Sequence, residues 1–317
     1  KQSLIFTKSF GRQNSLKQIM RNVSLLFTNS NQFFEMPRPI SNKIIFFEMP
    51  RPISNKIINI GGIVEMKVKE LEPGIKAIVD GIKAIVDNSR DGTVIVSFGT
   101  FADINSMKRE MTMAFLEAFA HFPNYEFIWK VELSDKDAKV FAKYKNVHPV
   151  KWMDQKSLLS DPKMRAFVSH CGLNSVSEAV QFGVPILAIP LLGDQLYNAI
   201  MARVKGIAVQ LDVGQLNGDG AEQLLLQVLN DPSYSLQVLN DPSYSQNVKL
   251  LKQKFASTPF GAKEKLIRWV EFAAEFPDLN ELNLPWEEEL GTLAYYSVDI
   301  IFLIVAMLAI FAWILFK

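Results

Sequence analysis

Residues 152–195 read WMDQKSLLSDPKMRAFVSHCGLNSVSEAVQFGVPILAIPLLGDQ, and their pattern decides the fold. Arg165–Ser169 is a short apolar run suited to a buried strand. His170-Cys171-Gly172-Leu173-Asn174-Ser175 follows as a tight turn in which Asn174 or Ser175 can cap the next helix. Ser177 to Gln181 carry that helix until Gly183 stops it, and Val184–Pro190 is a second apolar strand with Asp194-Gln195 just past its end. A helix opening directly from a strand presents unpaired amides and the positive end of its dipole, which together attract an anion. Ligands of open α/β sheets bind beyond the carboxyl ends of the strands. The stretch therefore predicts a phosphate-bearing ligand whose other groups are read by the polar residues at both strand ends.

Outward from this stretch, strands and helices alternate. Thr93–Phe98, Glu126–Val131, Asn146–Trp152 and Gly206–Leu211 read as strands, and residues 107–122 carry a helical stripe at Met111, Phe115, Ala118, Phe119 and Phe122. Gln246–Ala256 and Ala262–Phe276 read as closing helices, the second with Leu266, Trp269, Val270 and Ala273 on one side. Alternation of this kind predicts an α/β fold, a Rossmann-like parallel sheet with helices on both faces.

The spacing of Phe167-Val168-Ser169-His170, Gly172, Ser175, Glu178, Pro185, Pro190 and Asp194-Gln195 resembles the donor-binding signature of UDP-dependent glycosyltransferases. Within these, it is most similar to the membrane-bound UDP-glucuronosyltransferases of animals. Val94–Thr100 resembles the first strand and turn of the same domain, Ile60–Ile63 the element before it, and Trp269–Phe272 the closing helix. The resemblance runs from about Asn22 onward. It implies the C-terminal half of a GT-B glycosyltransferase followed by one transmembrane helix. Residues 1–60 would be a remnant of the N-terminal acceptor domain, 61–289 the UDP-sugar donor domain and 290–317 the anchor.

The resemblance also implies roles. Trp152 would stack on uracil with Gln155 on the same base, aromatic faces being good base platforms; a core aromatic is the other reading of Trp152. His170 would donate to the diphosphate, with Gly172, Asn174 and Ser175 offering amides and side-chain donors at the helix start. Glu178 would hold the ribose, Asp194 and Gln195 the sugar hydroxyls, and Ser97, Gly99 and Thr100 would close over the phosphates. Where the family has proline, this chain has Asp154, a good turn residue that adds negative charge near the nucleotide. The implied reaction moves glucuronic acid or glucose from a UDP-sugar to a small lipophilic acceptor with inversion, and uses neither metal nor cofactor. In the family the general base is an N-terminal histidine. This chain has only His121, His148 and His170, so none of its own residues is expected as the base. A second reading is a truncated, inactive UDP-sugar binder that partners full-length relatives, as a homo- or hetero-oligomer.

A net charge of +1 argues against a nucleic-acid partner. The single cysteine, Cys171, excludes an intrachain disulfide and reads as a small buried residue. From Leu293 to Phe316 the chain is apolar except for Ser297, Asp299 and the pair Tyr295-Tyr296, which predicts a membrane span with Tyr295, Tyr296 and Trp313 at the interfaces. Acidic Glu287–Glu289 before it and Lys317 after it place the globular part outside the cytosol, and the resemblance makes that the endoplasmic-reticulum lumen. The sequon Asn22-Val23-Ser24 overlaps a predicted strand and is expected to stay unmodified. The chain opens at Lys1 without an initiator Met or signal segment, so a fragment or a truncated form is expected.

Three segments recur without a single change. FFEMPRPISNKII spans 33–45 and 46–58, GIKAIVD spans 74–80 and 81–87, and LQVLNDPSYS spans 226–235 and 236–245. Solenoids need several copies at one period, so these read as recent duplication or faulty gene assembly. Seven added residues nearly preserve a helix face, because two turns take about 7.2. The ten-residue copy carries Asn-Asp-Pro-Ser, which should break a helix and loop out at the surface.

Overall fold

The computed structural model describes residues 23–31, 33–35, 57–63, 73–99, 109–211, 237–282 and 298–315. They fall into two compact units, the larger comprising 33–35 and 62–259. Its six-stranded parallel sheet follows the order β5-β4-β3-β6-β7-β8. The strands are β3 (Gly92–Ser97), β4 (Tyr125–Lys130), β5 (Val147–Val150), β6 (Met164–Ser169), β7 (Ile186–Ala188) and β8 (Ala208–Gln210). From β3 the chain winds outward to β5, then returns to β6 on the other side of β3 and winds the opposite way. The order therefore reverses between β3 and β6, where Ser97 pairs with Ser169. That switch point is where crossover connections diverge and leave a crevice beyond the strand ends.

Successive side chains of each strand go to opposite faces, and two separate cores result. Val94, Val96, Phe127, Trp129, Ala166, Val168 and Leu187 belong to one. Ile95, Ile128, Phe167, Ile186 and Ala188 belong to the other. The first face is covered by α2 (Arg109–Ala120), α3 (Asp135–Phe141) and α7 (Gln237–Asn240). The second is covered by α1 (Pro73–Asn88), α4 (Gln155–Leu159), α5 (Leu173–Phe182), α6 (Gln195–Val204) and α8 (Pro242–Ala256). The helical stripe read at Phe115 and Phe119 is what α2 buries. Phe119 stacks on Phe127 at 4.2 Å between centroids, and Trp129 meets Phe115 edge-on at 5.9 Å. Such pairs add about 0.5–1.5 kcal/mol each beyond their burial.

Helix ends follow local chemistry. Gly183 ends α5 in the left-handed conformation, φ 77°, and its amide donates to the Ala179 and Val180 carbonyls, which is how a glycine stops a helix. Asp241 caps α8 by accepting from the Ser243 amide at 2.8 Å, with Pro242 in the first turn, where its missing N–H costs nothing. This Asn-Asp-Pro-Ser run separates α7 from α8 and breaks the helix as expected, but the described copy does not loop out at the surface, because Val238 of α7 is buried in the core.

The duplications divide unequally. Ile82 and Val86, from the second GIKAIVD copy, are buried in the core, while Ile78 of the first is 44% exposed. Lys83, also in the second copy, bonds Asp87 and Asp161. The second LQVLNDPSYS copy supplies α7 and the cap of α8; the first lies outside the described residues. In the longest repeat the copies share the work. Phe34 of the first is buried in the larger unit and Glu35 accepts from the Tyr197 hydroxyl, whereas Ile57 and Ile58 of the second form a strand of the smaller unit.

The smaller unit comprises 1–32, 36–61 and 260–317. Within it β1 (Leu26–Thr28) pairs in parallel with β2 (Ile57–Asn59), and α9 (Ala262–Glu275) packs Trp269 and Ala273 on Leu25, Ile58 and Leu279. Two expectations change here. Val270 does not share that packed side and is 49% exposed, because it lies a 100° step round the helix from Trp269. The strand near the sequon begins only at Leu26, and Ser24 instead donates to the Pro277 carbonyl.

The sequence predicts a membrane span over 290–317. Among the described residues no helix is long and apolar enough to cross a membrane. The helix present there, α10 (Val298–Leu315), has 18 residues, or about 27 Å at 1.5 Å per residue, against a hydrocarbon core of roughly 30 Å. Tyr295 and Tyr296 lie outside the described residues.

Deleting residues 74–80 should leave the second copy of that helix in its packed register. The deletion variant is expected to melt within about 2 °C of the parent by circular dichroism, the shift that about 1 kcal/mol or less produces in a unit of this size. A fall of ten degrees or more would mean that the first copy bears structure.

Candidate functional site

The carboxyl ends of β3, β6 and β7 meet at the switch point, and the turn after β6 fills it. Ser169 is buried, and its hydroxyl accepts from the Cys171 amide at 3.1 Å. Cys171 holds a left-handed φ of 62°, rare for a residue with a side chain, which turns the chain sharply from strand to helix. Its thiol is buried and pushed up to about 12, which disfavours the thiolate that a nucleophile needs and fits a small packed residue.

The helix cap is Gly172, which has no side chain to bond the first amides of α5, and among the described residues no side-chain cap bond is made there. Asn174 and Ser175, expected as possible caps, are the second and third helical residues. The turn places the boundary earlier because only glycine fits there. A Cβ on Gly172 would lie 2.7 Å from His170 Nε2, and one on Gly99 would lie 2.8 Å from the same atom. The His170 imidazole is thus clasped between two glycine backbones, one from the turn after β3 and one from the turn after β6. Burial lowers its pKa below the ordinary value, opposed by the Ser97 backbone and the Asp194 carboxylate. Nδ1 is buried without a hydrogen-bond partner, so the Ser97 backbone favours the proton without completing a bond. The ring is neutral at neutral pH and stands beside the uncapped start of α5.

The remaining expected residues gather around this point in two groups. Gln155 Nε2 donates to Glu178 Oε2 at 2.6 Å, joining the start of α4 to the middle of α5. Trp152, just before α4, is 38% exposed, which removes its core-aromatic reading. Asp154 caps α4, accepting from the Ser157 amide at 3.3 Å and hydroxyl at 2.6 Å, so its charge is engaged within its own turn. On the other side, Gln195 Oε1 accepts from the Leu191 and Leu192 amides, both at 2.9 Å. Only its Nε2 remains for a ligand. Asp194 Oδ2 accepts from Asn198 Nδ2 at 2.9 Å. Ser97 is buried, with the Gly99 amide 3.5 Å from its hydroxyl, so it underlies the first turn and does not cover it. Thr100 lies outside the described residues.

Asn198 was not read from the sequence, although its signal was present. It stands four residues after Asp194, one helical turn on, and is buried at 4% exposure despite being polar. The other two histidines are elsewhere. His121 Nδ1 is 2.9 Å from the Glu117 carbonyl on an exposed helix end. His148 Nε2 is 2.6 Å from Glu126 Oε2 near the amino ends of β5 and β4, opposite the ligand side of the sheet. Among the described residues no group of three His, Cys, Asp or Glu side chains is placed to hold a metal ion.

Comparison with known proteins places the chain in a family. Residues 5–317 match the sequence model of the family described as "UDP-glucoronosyl and UDP-glucosyl transferase". UDP-glucosyltransferase 2 of Dactylopius coccus is 30% identical over 266 residues, 84% of this chain and 45% of that protein. UDP-glucuronosyltransferase 2B23 of Macaca fascicularis is 26% identical over 312 residues, 98% of this chain and 52% of that protein. The chain thus spans about half the length of the curated relatives it matches. Among solved structures, LpCGTa in complex with UDP aligns with TM-score 0.50 and 21% identity, covering 68% of this chain and 48% of that one. That likeness shows the α/β fold.

The clasp on His170 gives a pH dependence whose sign is fixed. Its folded pKa lies below the unfolded value of 6.5, so as pH falls the unfolded chain takes up the proton first and stability is lost. Urea midpoints measured from pH 7.5 down to 5.5 should fall more steeply for the parent than for His170→Gln. Parallel curves would show that His170 titrates as a free side chain.

Proposed function

Because the chain belongs to the UDP-glucuronosyl and UDP-glucosyl transferase family, we propose that it supplies the donor half of a UDP-sugar-dependent glycosyl-transfer site. The observation that carries this reading is the uncapped start of α5 at the sheet's switch point, with the neutral His170 imidazole clasped beside it. The first-turn amides of Leu173, Asn174 and Ser175, which no described side chain caps, suit the oxygens of a diphosphate. Gln155 and Glu178, already joined by a hydrogen bond, suit the uracil and the ribose hydroxyls beside Trp152. Asp194 and the Gln195 amide suit the hydroxyls of the transferred sugar.

In the proposed reaction an acceptor hydroxyl oxygen attacks the anomeric carbon from the face opposite the diphosphate. The carbon–oxygen bond to UDP breaks, UDP leaves, and the configuration inverts. The acceptor's proton passes to a general base, which none of this chain's described histidines is placed to provide. What the chain contributes is stabilisation of negative charge gathering on the leaving diphosphate, through fixed amides, the α5 dipole and a proton held by His170. The acceptor is proposed to be small and lipophilic, and the donor sugar to be glucuronic acid or glucose. No metal is required in this scheme.

Calorimetry on the full chain tests the donor site. UDP should bind, and both His170→Ala and Glu178→Ala should weaken it by about tenfold or more, the worth of one charge-assisted hydrogen bond. A chelator should leave the affinity unchanged. Equal binding by both variants, or none by folded parent protein, would refute the assignment.

We also propose that α10 and its flanks anchor the chain in the endoplasmic-reticulum membrane, with the larger unit lumenal. From Ile300 to Trp313 its large apolar side chains are exposed all round, Phe302 at 72% and Leu308 at 62% among them, more apolar surface than water tolerates without a partner. Flotation with phosphatidylcholine vesicles should carry the full chain upward and leave a variant ending at residue 289 behind. Co-sedimentation of the two would oppose the anchor.

A further inference from the structure

We infer that Asn198 is the positioning residue that sets the donor-sugar arm of the site against its diphosphate turn. The inference rests on the donor-site reading above and goes beyond it to the selection of the sugar. Asn198 lies in the second turn of α6 and is 4% exposed. Its single side-chain nitrogen makes two hydrogen bonds, to the Cys171 carbonyl at 3.1 Å and to Asp194 Oδ2 at 2.9 Å. One bond reaches the left-handed residue between His170 and Gly172; the other reaches the carboxylate at the start of α6.

The chemistry of the two acceptors leaves little choice of residue. A neutral side chain that bridges a carbonyl and a carboxylate oxygen from one atom needs two hydrogens on that atom. The carboxamide nitrogen provides that. Aspartate here would offer no donor and would set two carboxylates one helical turn apart; serine could satisfy one acceptor only. Asp194 occupies the cap position of α6 in helical geometry and makes no capping bond of its own. Asn198 therefore restricts the rotation of its carboxylate, committing Oδ2 and leaving Oδ1 as the oxygen for a ligand. Because the same nitrogen holds the Cys171 carbonyl, Oδ1 is set relative to the turn that carries the diphosphate. The distance between phosphate and sugar hydroxyl is thereby measured through one side chain.

A positioning role differs from a structural one in which ligand it affects. Titrations of the full chain with UDP, UDP-glucose and UDP-glucuronic acid should show Asn198→Ala weakening one or both sugar nucleotides about tenfold more than UDP, the worth of a lost hydrogen bond to a charged group. In an Asp194→Ala background the same change should add no further selectivity, since residues acting through one another are not additive. Asn198→Ser, which keeps one donor, should recover part of the difference. Equal weakening of UDP and both sugar nucleotides, or collapse of folding in both the alanine and serine variants, would assign Asn198 to structure alone and overturn the proposal. Unchanged binding of all three ligands would overturn it as well. A parent chain that binds neither UDP nor sugar nucleotide would fail earlier, refuting the donor-site reading on which this one stands.

Discussion

The clasp of His170 between Gly99 and Gly172 is the constraint to which the rest of the site is built. It needs two backbones without side chains, from turns that follow different strands, brought within van der Waals reach of one ring atom. Only adjacent parallel strands with matched ends can do this, and β3 and β6 are paired so that Ser97 and Ser169 stand level. The pairing in turn requires the chain to return to β6 after winding outward through β4 and β5. Topology and site geometry are therefore one requirement. A sheet with these strands in sequential order would separate the two glycines by the width of the intervening strands, about 4.8 Å for each step.

Much of this was readable in the sequence, for reasons that differ by element. Buried parallel strands such as β3 and β6 announce themselves as unbroken apolar runs, because both their faces meet helices. Gly183 announces the end of α5 because no other residue adopts its conformation as readily. What escaped depends on contacts between distant segments. Nothing local distinguishes Gly172 as the cap from Asn174 or Ser175, which are better capping residues by propensity; His170 decides it by excluding a Cβ. Asn198 looks like an ordinary polar helix residue until Cys171 and Asp194 are seen to flank it. Asp154 looked like a charge intruding on the nucleotide and is a helix cap whose carboxylate Ser157 already holds.

The repeated segments show how little of a sequence its packing consumes. Identical copies carry identical propensities, so propensity cannot choose between them. Tertiary contacts do, and in the shortest repeat Ile85 of the second copy packs against the core while its counterpart Ile78 in the first is 44% exposed. The longest repeat divides its duties, with Phe34 and Glu35 serving one unit from the first copy and Ile57 and Ile58 serving the other from the second. None of the three falls between Trp152 and Gln195, so the signature turn keeps its register whatever happens at its neighbours.

The distribution of charge bears on what the proposed donor site would favour. The chain carries a net charge of only +1, and among the described residues none of those gathered at the switch point is lysine or arginine. Two of them, Glu178 and Asp194, are carboxylates that would repel a diphosphate at close range. The helix resolves the conflict by distance. Glu178 is the sixth residue of α5, about 7.5 Å along the axis from the first amide, and its oxygen is already engaged by Gln155. Anionic oxygens are thus favoured only at the amide end, where dipole and His170 act, and hydroxyl donors are favoured at the two carboxylates. The proposed donor, whose anionic diphosphate lies between a hydroxyl-bearing ribose and a hydroxyl-bearing sugar, would meet this pattern.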